Sequence, residues 1–233
     1  MSVRMWASVM LLFACLSAGF AVDGHAGMMT FTSRAAFENA LIPGRSTTEN
    51  FDGSTTPNGQ IAFFSEPLSS STSSALWPSG IAPGLSVLNI GGSDLGLMAQ
   101  GFSTPNGSNS SDTITTRSFS DDLLFLTRPN VTAIGFDFFS LTAPSQIRIN
   151  VFNSPSNQLT SFSTPIDATR RFFGFISTDI EIDAVILSDN DFGNNVGELV
   201  DNFTFGAAVP EPTSFVILGA LLAPLGMIRR RKD

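Results

Sequence analysis

Short alternating apolar runs, interrupted every few residues by Pro, Gly, Asn or Ser, recur over residues 85–205, and no amphipathic helix of ordinary length fits between them. Residues 146–152 set Ile147, Ile149 and Val151 against Arg148 and Asn150, and residues 199–205 set Phe203 and Phe205 against Asn202 and Thr204. Side chains alternate between the two faces of a strand, so these runs fit half-buried β-strands. Residues 85–90, 94–99, 113–119, 122–127, 131–140, 159–162, 171–176 and 180–187 have the same character. Strands about 8–12 residues apart with turn signals between them are the pattern of a sandwich or barrel. Only one stretch reads as a helix. Residues 33–41 open on Ser33, a capping hydroxyl, carry apolar residues at Ala36, Phe37, Ala40 and Leu41, and run into Pro43-Gly44 as a stop. The expected fold is all-β: a two-sheet jelly-roll-type β-sandwich with one short N-terminal helix.

The two ends have a different character. Residues 1–26 combine an early basic residue (Arg4), an apolar run and Gly24-His25-Ala26, which offers small residues where signal peptidase reads. An earlier cut after Ala21 is a second candidate. An uncleaved membrane anchor, or lipidation at Cys15, would also use such a run. At the other end, Pro210-Glu211-Pro212 precedes the fourteen mostly apolar residues 215–228 and the cluster Arg229-Arg230-Arg231-Lys232. That apolar run barely spans a bilayer, and the basic cluster would hold its end on the cytoplasmic side.

These three parts together resemble the C-terminal sorting signal of bacterial PEP-CTERM proteins. The resemblance implies recognition by an exosortase, a membrane-embedded cysteine transpeptidase. It further implies removal of the tail and delivery of the ectodomain to the cell surface or extracellular matrix. Pro210, Glu211, Pro212, Arg229, Arg230 and Arg231 are then substrate residues for the sorting enzyme and carry no catalysis. The chain thus divides into a signal peptide (1–26), an ectodomain (27–209) and a sorting signal (210–233).

A second resemblance lies in the ectodomain. Phe31, Ala35-Ala36-Phe37 and Glu49-Asn50-Phe51-Asp52 are similar to the opening of many PEP-CTERM ectodomains. Residues 131–138, 172–175 and 200–206 are similar to their later strands. This resemblance implies a lectin-like or galactose-binding-like sandwich, which specifies architecture better than ligand.

Trimming sharpens the composition. The whole chain has 12 basic and 20 acidic residues, with one His and one Cys. Residues 27–209 lose Arg4 and the four basic residues of the tail, and also Asp23, Glu211 and Asp233. Seven Arg then face seventeen acids, a net charge of −10, with no His, Cys, Lys or Tyr. Nucleic-acid binding, which needs cationic surface, is excluded. A serine nucleophile has no usual base, so the expectation is no enzyme. An acid-pair glycoside hydrolase is the residual catalytic option, with Asp121-Asp122, Asp179/Glu181/Asp183 or Asp189/Asp191 as its carboxylates. The spacing of Asp179, Glu181 and Asp183 puts them on one face of a strand, as on a solvated sheet.

Asp189 and Asp191, on an Asn/Gly-rich turn, with Asp201 on the following strand, offer oxygen ligands for a structural calcium, the one cofactor the sequence suggests. An Asn/Asp turn satisfying its own backbone reads equally well. Trp77, the only Trp of residues 27–209, sits beside Pro78-Ser79-Gly80 and is the candidate ligand contact for carbohydrate. Residues 69–74 and 103–112 read as solvated loops. Sequons at Asn106, Asn109, Asn130 and Asn202 fit chance in a Ser/Thr/Asn-rich chain. The leading reading is an exported structural or adhesive protein of the envelope or exopolysaccharide matrix. Its partners are signal peptidase, an exosortase and, through the tail, the membrane. The alternative is a carbohydrate-binding lectin-like module with polysaccharide as partner.

Overall fold

The computed structural model describes residues 27–209, apart from residues 66, 73, 119, 120, 143 and 189–196. The leader, the sorting motif (Pro210, Glu211, Pro212, Arg229, Arg230, Arg231) and the candidate calcium ligands Asp189 and Asp191 lie outside the described residues. No helix among those described is long and apolar enough to cross a membrane.

The chain begins with β1 (Met28–Phe31), α1 (Arg34–Asn39), β2 (Leu41–Glu49), β3 (Ile61–Phe64), β4 (Leu68–Ser69), β5 (Leu85–Ile90) and β6 (Leu95–Met98). A small hairpin, β7 (Ser103–Thr104) with β8 (Gly107–Ser108), comes next. Then follow β9 (Thr113–Thr116), β10 (Asp122–Thr127), β11 (Ala133–Phe139), β12 (Ser145–Ser154), β13 (Asn157–Ile166), β14 (Arg171–Ser177), β15 (Ala184–Ser188) and β16 (Leu199–Ala208). One sheet runs β1-β14-β11-β16-β9-β6-β3 with β2 also on β16, and the other runs β13-β12-β15-β10-β5-β4.

From β9 onward the pairing is nested. β12 pairs with β13, β11 with β14, β10 with β15 and β9 with β16, all antiparallel. That is one long hairpin rolled across two sheets, the jelly-roll arrangement. The expected all-β sandwich is therefore the fold observed.

The core between the sheets is built from the inward positions of both. Ile147, Ile149 and Val151 are fully buried there, as their alternation requires. Opposite them, Phe203 stacks on Phe125 at 4.3 Å between ring centres and on Phe136 at 5.8 Å. Buried phenyl rings need no hydrogen-bond partner, which suits a core of Phe in a chain without Tyr.

The outer face of the larger sheet is covered by α1. Ser33 caps this helix, its hydroxyl accepting from Ala36 N–H at 3.4 Å. Phe37 points down at full burial between Phe31 and Phe172. Beneath it, Gly135 pairs with Gly174 across neighbouring strands. A Cβ at either position would meet the Phe37 ring at 2.9 Å and the Phe172 ring as closely or closer. These glycines make room for the helix. Gly174→Ala is expected to cost about 1–3 kcal/mol, as overpacking does, and would show as a lower thermal midpoint.

Three local expectations need correction. The helix ends at Ala40, well before Pro43-Gly44, and Leu41–Glu49 becomes β2 on β16. Leu41 pairs with Ala208 and Ser46 with Gly206, so residues 42–45 loop out opposite Ala207. Pro43 lacks an N–H and Gly44 sits at φ +74°, so this is the point where the strand can leave its ladder. Asp179, Glu181 and Asp183 do not share a strand face, because β15 starts only at Ala184. They lie in a connection whose backbone is tied at Ile182 N–H to the Val131 carbonyl and at Asp183 N–H to the Phe152 carbonyl. Residues 103–112 are no simple solvated loop. They contain the β7–β8 hairpin and the buried side chains of Asn109 and Asp112.

Candidate functional site

The polar chemistry concentrates where β16 is bulged. Gly135 pairs with Thr204 but Asp137 with Asp201, so β16 carries one extra residue there. Asn202 takes it up at φ +48°, a conformation Asn tolerates better than most residues. The bulge lets Val200 and Phe203 both reach the core. On the other side, Asn202 donates from its amide to Asp137 Oδ2 at 2.9 Å, and Arg34 pairs with Asp137 Oδ1 at 3.0 Å. The Arg34 guanidinium also lies 4.7 Å over the Phe172 ring.

Asp201 is 1% exposed. Its Oδ2 accepts from Ser111 Oγ at 2.5 Å and pairs with the Arg170 guanidinium, while Oδ1 accepts from Asn202 N–H at 2.6 Å. Arg170 in turn donates to Ser111 Oγ at 2.8 Å and lies 4.8 Å over Phe139. The carboxylate expected to bind calcium is thus occupied by protein donors. Among the described residues no group of three or more His, Cys, Asp or Glu is arranged to hold a metal.

Beside Ser111 opens a polar cleft of about 320 Å³. One wall comes from the β2–β3 connection, with Asp52, Ser54, Thr56 and Asn58. The other comes from the segment between β6 and β9, with Gln100, Ser110, Ser111 and Asp112. The first wall is anchored by Glu49, whose buried carboxylate accepts from Phe51 N–H at 2.7 Å and Ala82 N–H at 2.6 Å. Phe51, at φ +57°, turns its ring fully into the core and leaves Asp52 at the surface. The walls are joined by Gly59 N–H to the Gln100 carbonyl at 2.8 Å and by Ser54 Oγ to Asp112 Oδ2 at 3.2 Å. Asp112 Oδ1 accepts from Gln100 N–H at 2.8 Å.

Partial desolvation in the cleft wall, then the neighbouring Asp112 carboxylate, and more weakly Asp201, hold Asp52 above its ordinary pKa although the residue is exposed overall, and a hydrogen bond from the Asp112 backbone opposes this. The sign follows from linkage. Between the ordinary value of 3.8 and the raised one, the folded state binds more protons than the unfolded, so stability falls as pH rises through that window. Asp52→Asn is expected to raise the thermal midpoint at neutral pH and to leave it nearly unchanged below the window. Melting curves at the two pH values check this.

Trp77 does not supply a sugar platform. Its indole is only 2% exposed, packs 6.1 Å from Phe64 between ring centres, and donates from Nε1 to the Gly80 carbonyl at 2.9 Å. The Pro-Ser-Gly context correctly marks a turn, but that turn folds the ring inward and satisfies its N–H locally. The proposed acid pair Asp121-Asp122 is also otherwise employed. Asp121 is buried and accepts from Ser93 N–H at 3.1 Å in the turn beside Gly91, while Asp122 belongs to β10. The cleft residues were missed because they follow no motif. The one available signal, Glu49-Asn50-Phe51-Asp52, bears on fold resemblance alone.

No protein-family model matches the sequence, and no curated protein matches it. Among solved structures, the chain is similar to the CBM22-1 xylan-binding domain from Paenibacillus barcinonensis at 12% identity, covering 66% of this chain and all of that one, with a TM-score of 0.37. It is similar to the family 11 carbohydrate-binding module from Clostridium thermocellum, in complex with a mixed-linked tetrasaccharide, at 13% identity, 56% and 92% coverage and a TM-score of 0.32. A variant of the family 29 module CBM29-2 matches at 13% identity, 70% and 92% coverage and 0.34. Likenesses this loose carry nothing about what this protein binds.

Proposed function

We propose that this chain is an exported, non-catalytic carbohydrate-binding β-sandwich, with the cleft between the β2–β3 connection and the β6–β9 segment as its glycan site. The cleft itself carries the reading. Its walls offer planar amides on Asn58 and Gln100, serine hydroxyls, and carboxylates that can accept from sugar hydroxyls, the kind of convergent polar groups that fix a ligand's orientation. Charge-assisted hydrogen bonds to a carboxylate are the strong ones in such a set. The absence of His, Cys, Lys and Tyr from residues 27–209 supports a binding role over a catalytic one.

The test is a glycan array with the purified protein, followed by Gln100→Ala and Asn58→Ala. Loss of one sugar-facing hydrogen bond should weaken binding by roughly tenfold. No binding on the array, or unchanged binding by both variants, would contradict the site. Asp52, held above its ordinary pKa by partial burial and then by the Asp112 carboxylate, also fits one half of an acid pair, so reducing-sugar release belongs in the same experiment, and turnover that disappears with Asp112→Asn would make this a hydrolase.

The leader and the Pro210-Glu211-Pro212, apolar and Arg229–Arg231 segments support export and exosortase sorting to the envelope or matrix, where glycan binding or adhesion would act. Intact mass from a host that has the sorting enzyme tests this. The expected form lacks residues 215–233, and a mature form that keeps the apolar run and the Arg cluster would contradict it.

A further inference from the structure

We propose that a second copy of this chain docks on the outer face of the smaller sheet, the two copies packing sheet against sheet about a two-fold axis along β15. Alternation puts Leu88 and Ile90 of β5, Leu124 and Leu126 of β10, Ile186 of β15 and Phe152 of β12 on that face, because the residues between them point into the core. Ile90 and Leu126 are 42% and 39% exposed, and none of the six belongs to a core cluster or packs on one. The register makes them neighbours. Leu88, Leu124 and Ile186 lie side by side on three strands, and Leu126 and Phe152 flank the small Ala184. A contiguous exposed apolar surface of this kind is uncommon on a monomer and marks an interaction site. The larger sheet hides apolar residues of its outer face under α1, and among the described residues no helix lies over the smaller one.

Charge selects the occupant. The six strands of the smaller sheet carry only two charged residues, Arg148 on β12 and Asp122 on β10, so this face is neutral on a domain of net −10. Arg148 pairs with Ser188 of β15, and Asp122 lies one residue beyond the Leu123–Leu187 pair, opposite the same Ser188. A two-fold axis along β15 exchanges the two sides of that strand. It sets Arg148 of each copy over Asp122 of the other and Phe152 over Leu126, with Ile186 meeting its counterpart on the axis. That is the self-complementarity an isologous interface requires, and aligned sheets packed about 10 Å apart bring such side chains together. Copies of a strongly acidic domain can meet closely only where their acids are absent or paired. The cleft residues lie in segments joining strands of the larger sheet, so this pairing does not use them and stands apart from the glycan reading.

The experiment is sedimentation equilibrium of the purified protein, with forms that keep and lack residues 215–233 measured separately. The expected result is a reversible dimer with a dissociation constant on the order of 10 µM, since a single sheet face is a small interface. Leu126→Asp should weaken it by roughly tenfold or more. The decisive arm uses Arg148→Glu and Asp122→Arg. Neither variant should self-associate, yet the two mixed should form a one-to-one pair, because each supplies the charge that the other's face then needs. Both residues also have contacts within the chain, so melting curves check that the variants fold, and Leu126→Asp carries the test if one does not. A monomer at about 0.2 mM, association unchanged by Leu126→Asp, or folded charge variants that fail to pair when mixed would each overturn the proposal. Association confined to the form that keeps residues 215–228 would assign it to the apolar tail, and a monomer whose amides on this face shift with a glycan would assign the face to carbohydrate. Either outcome also overturns it.

Discussion

Replacing Arg170 with Met is expected to destabilise the protein by about 3 kcal/mol, the low end of the range for breaking a buried ion pair. Asp201 is 1% exposed, so without the guanidinium it becomes a buried, uncompensated carboxylate held by neutral donors, Ser111 Oγ and the backbone and side-chain N–H groups of Asn202. The low end applies because the Arg170 side chain is itself 27% exposed, so water can reach the space it leaves. The reciprocal change should be milder. Asp201→Asn leaves Arg170 charged but partly solvated, at a cost of about 1 kcal/mol. Chemical denaturation of both variants and of the double variant measures the asymmetry. A double variant less destabilised than Arg170→Met alone would show that the penalty is the stranded charge rather than the lost contact. Equal costs for the two single variants would contradict the burial argument.

The largest packing effect is expected at Phe203. Its ring is fully buried and stacked between Phe125 of the opposite sheet and Phe136 of its own. Phe203→Ala removes a ring from both stacks at once and should cost about 3–5 kcal/mol, through lost transfer energy and the cavity left behind. In a chain of this size that corresponds to a fall in thermal midpoint of roughly 10 °C or more. Phe203→Leu should recover most of it. A loss under about 1 kcal/mol for the alanine variant would mean that the sheets close over the gap and that the stack is not central.

The fold was legible where side-chain alternation alone determines it. Ile147, Ile149 and Val151 can only be one face of a strand, and β5, β10 and β14 lie where their apolar runs place them. Reading failed where a tertiary partner decides. Nothing local at Asp201-Asn202 says that β16 takes an extra residue; that depends on Asp137 and Arg34 arriving from elsewhere. Likewise Pro43-Gly44 looks like a helix stop, but becomes a bulge because β16 is there to pair on both sides of it.

The site was the least legible part. Asp52 and Asp112 are far apart in sequence, and it is the β3–β6 and β6–β9 pairings that bring their loops together. Trp77 drew attention because aromatic residues in loops often meet sugars, yet the indole found a local carbonyl and a place in the core. Asp189 and Asp191 lie outside the described residues, and Asp201 already has its donors. Trp77 and the lectin-like resemblance raised carbohydrate as the alternative, but only the fold shows which polar residues converge.

The most direct test of the central claim is to map where a bound glycan touches the protein, by backbone amide shift perturbation with the tightest ligand from the array. Perturbations clustered at Asp52, Ser54, Asn58, Gln100 and Ser111, with β12 and β13 unmoved, are the predicted result. Perturbations confined to the outer face of the smaller sheet, with the cleft residues unmoved, would contradict it.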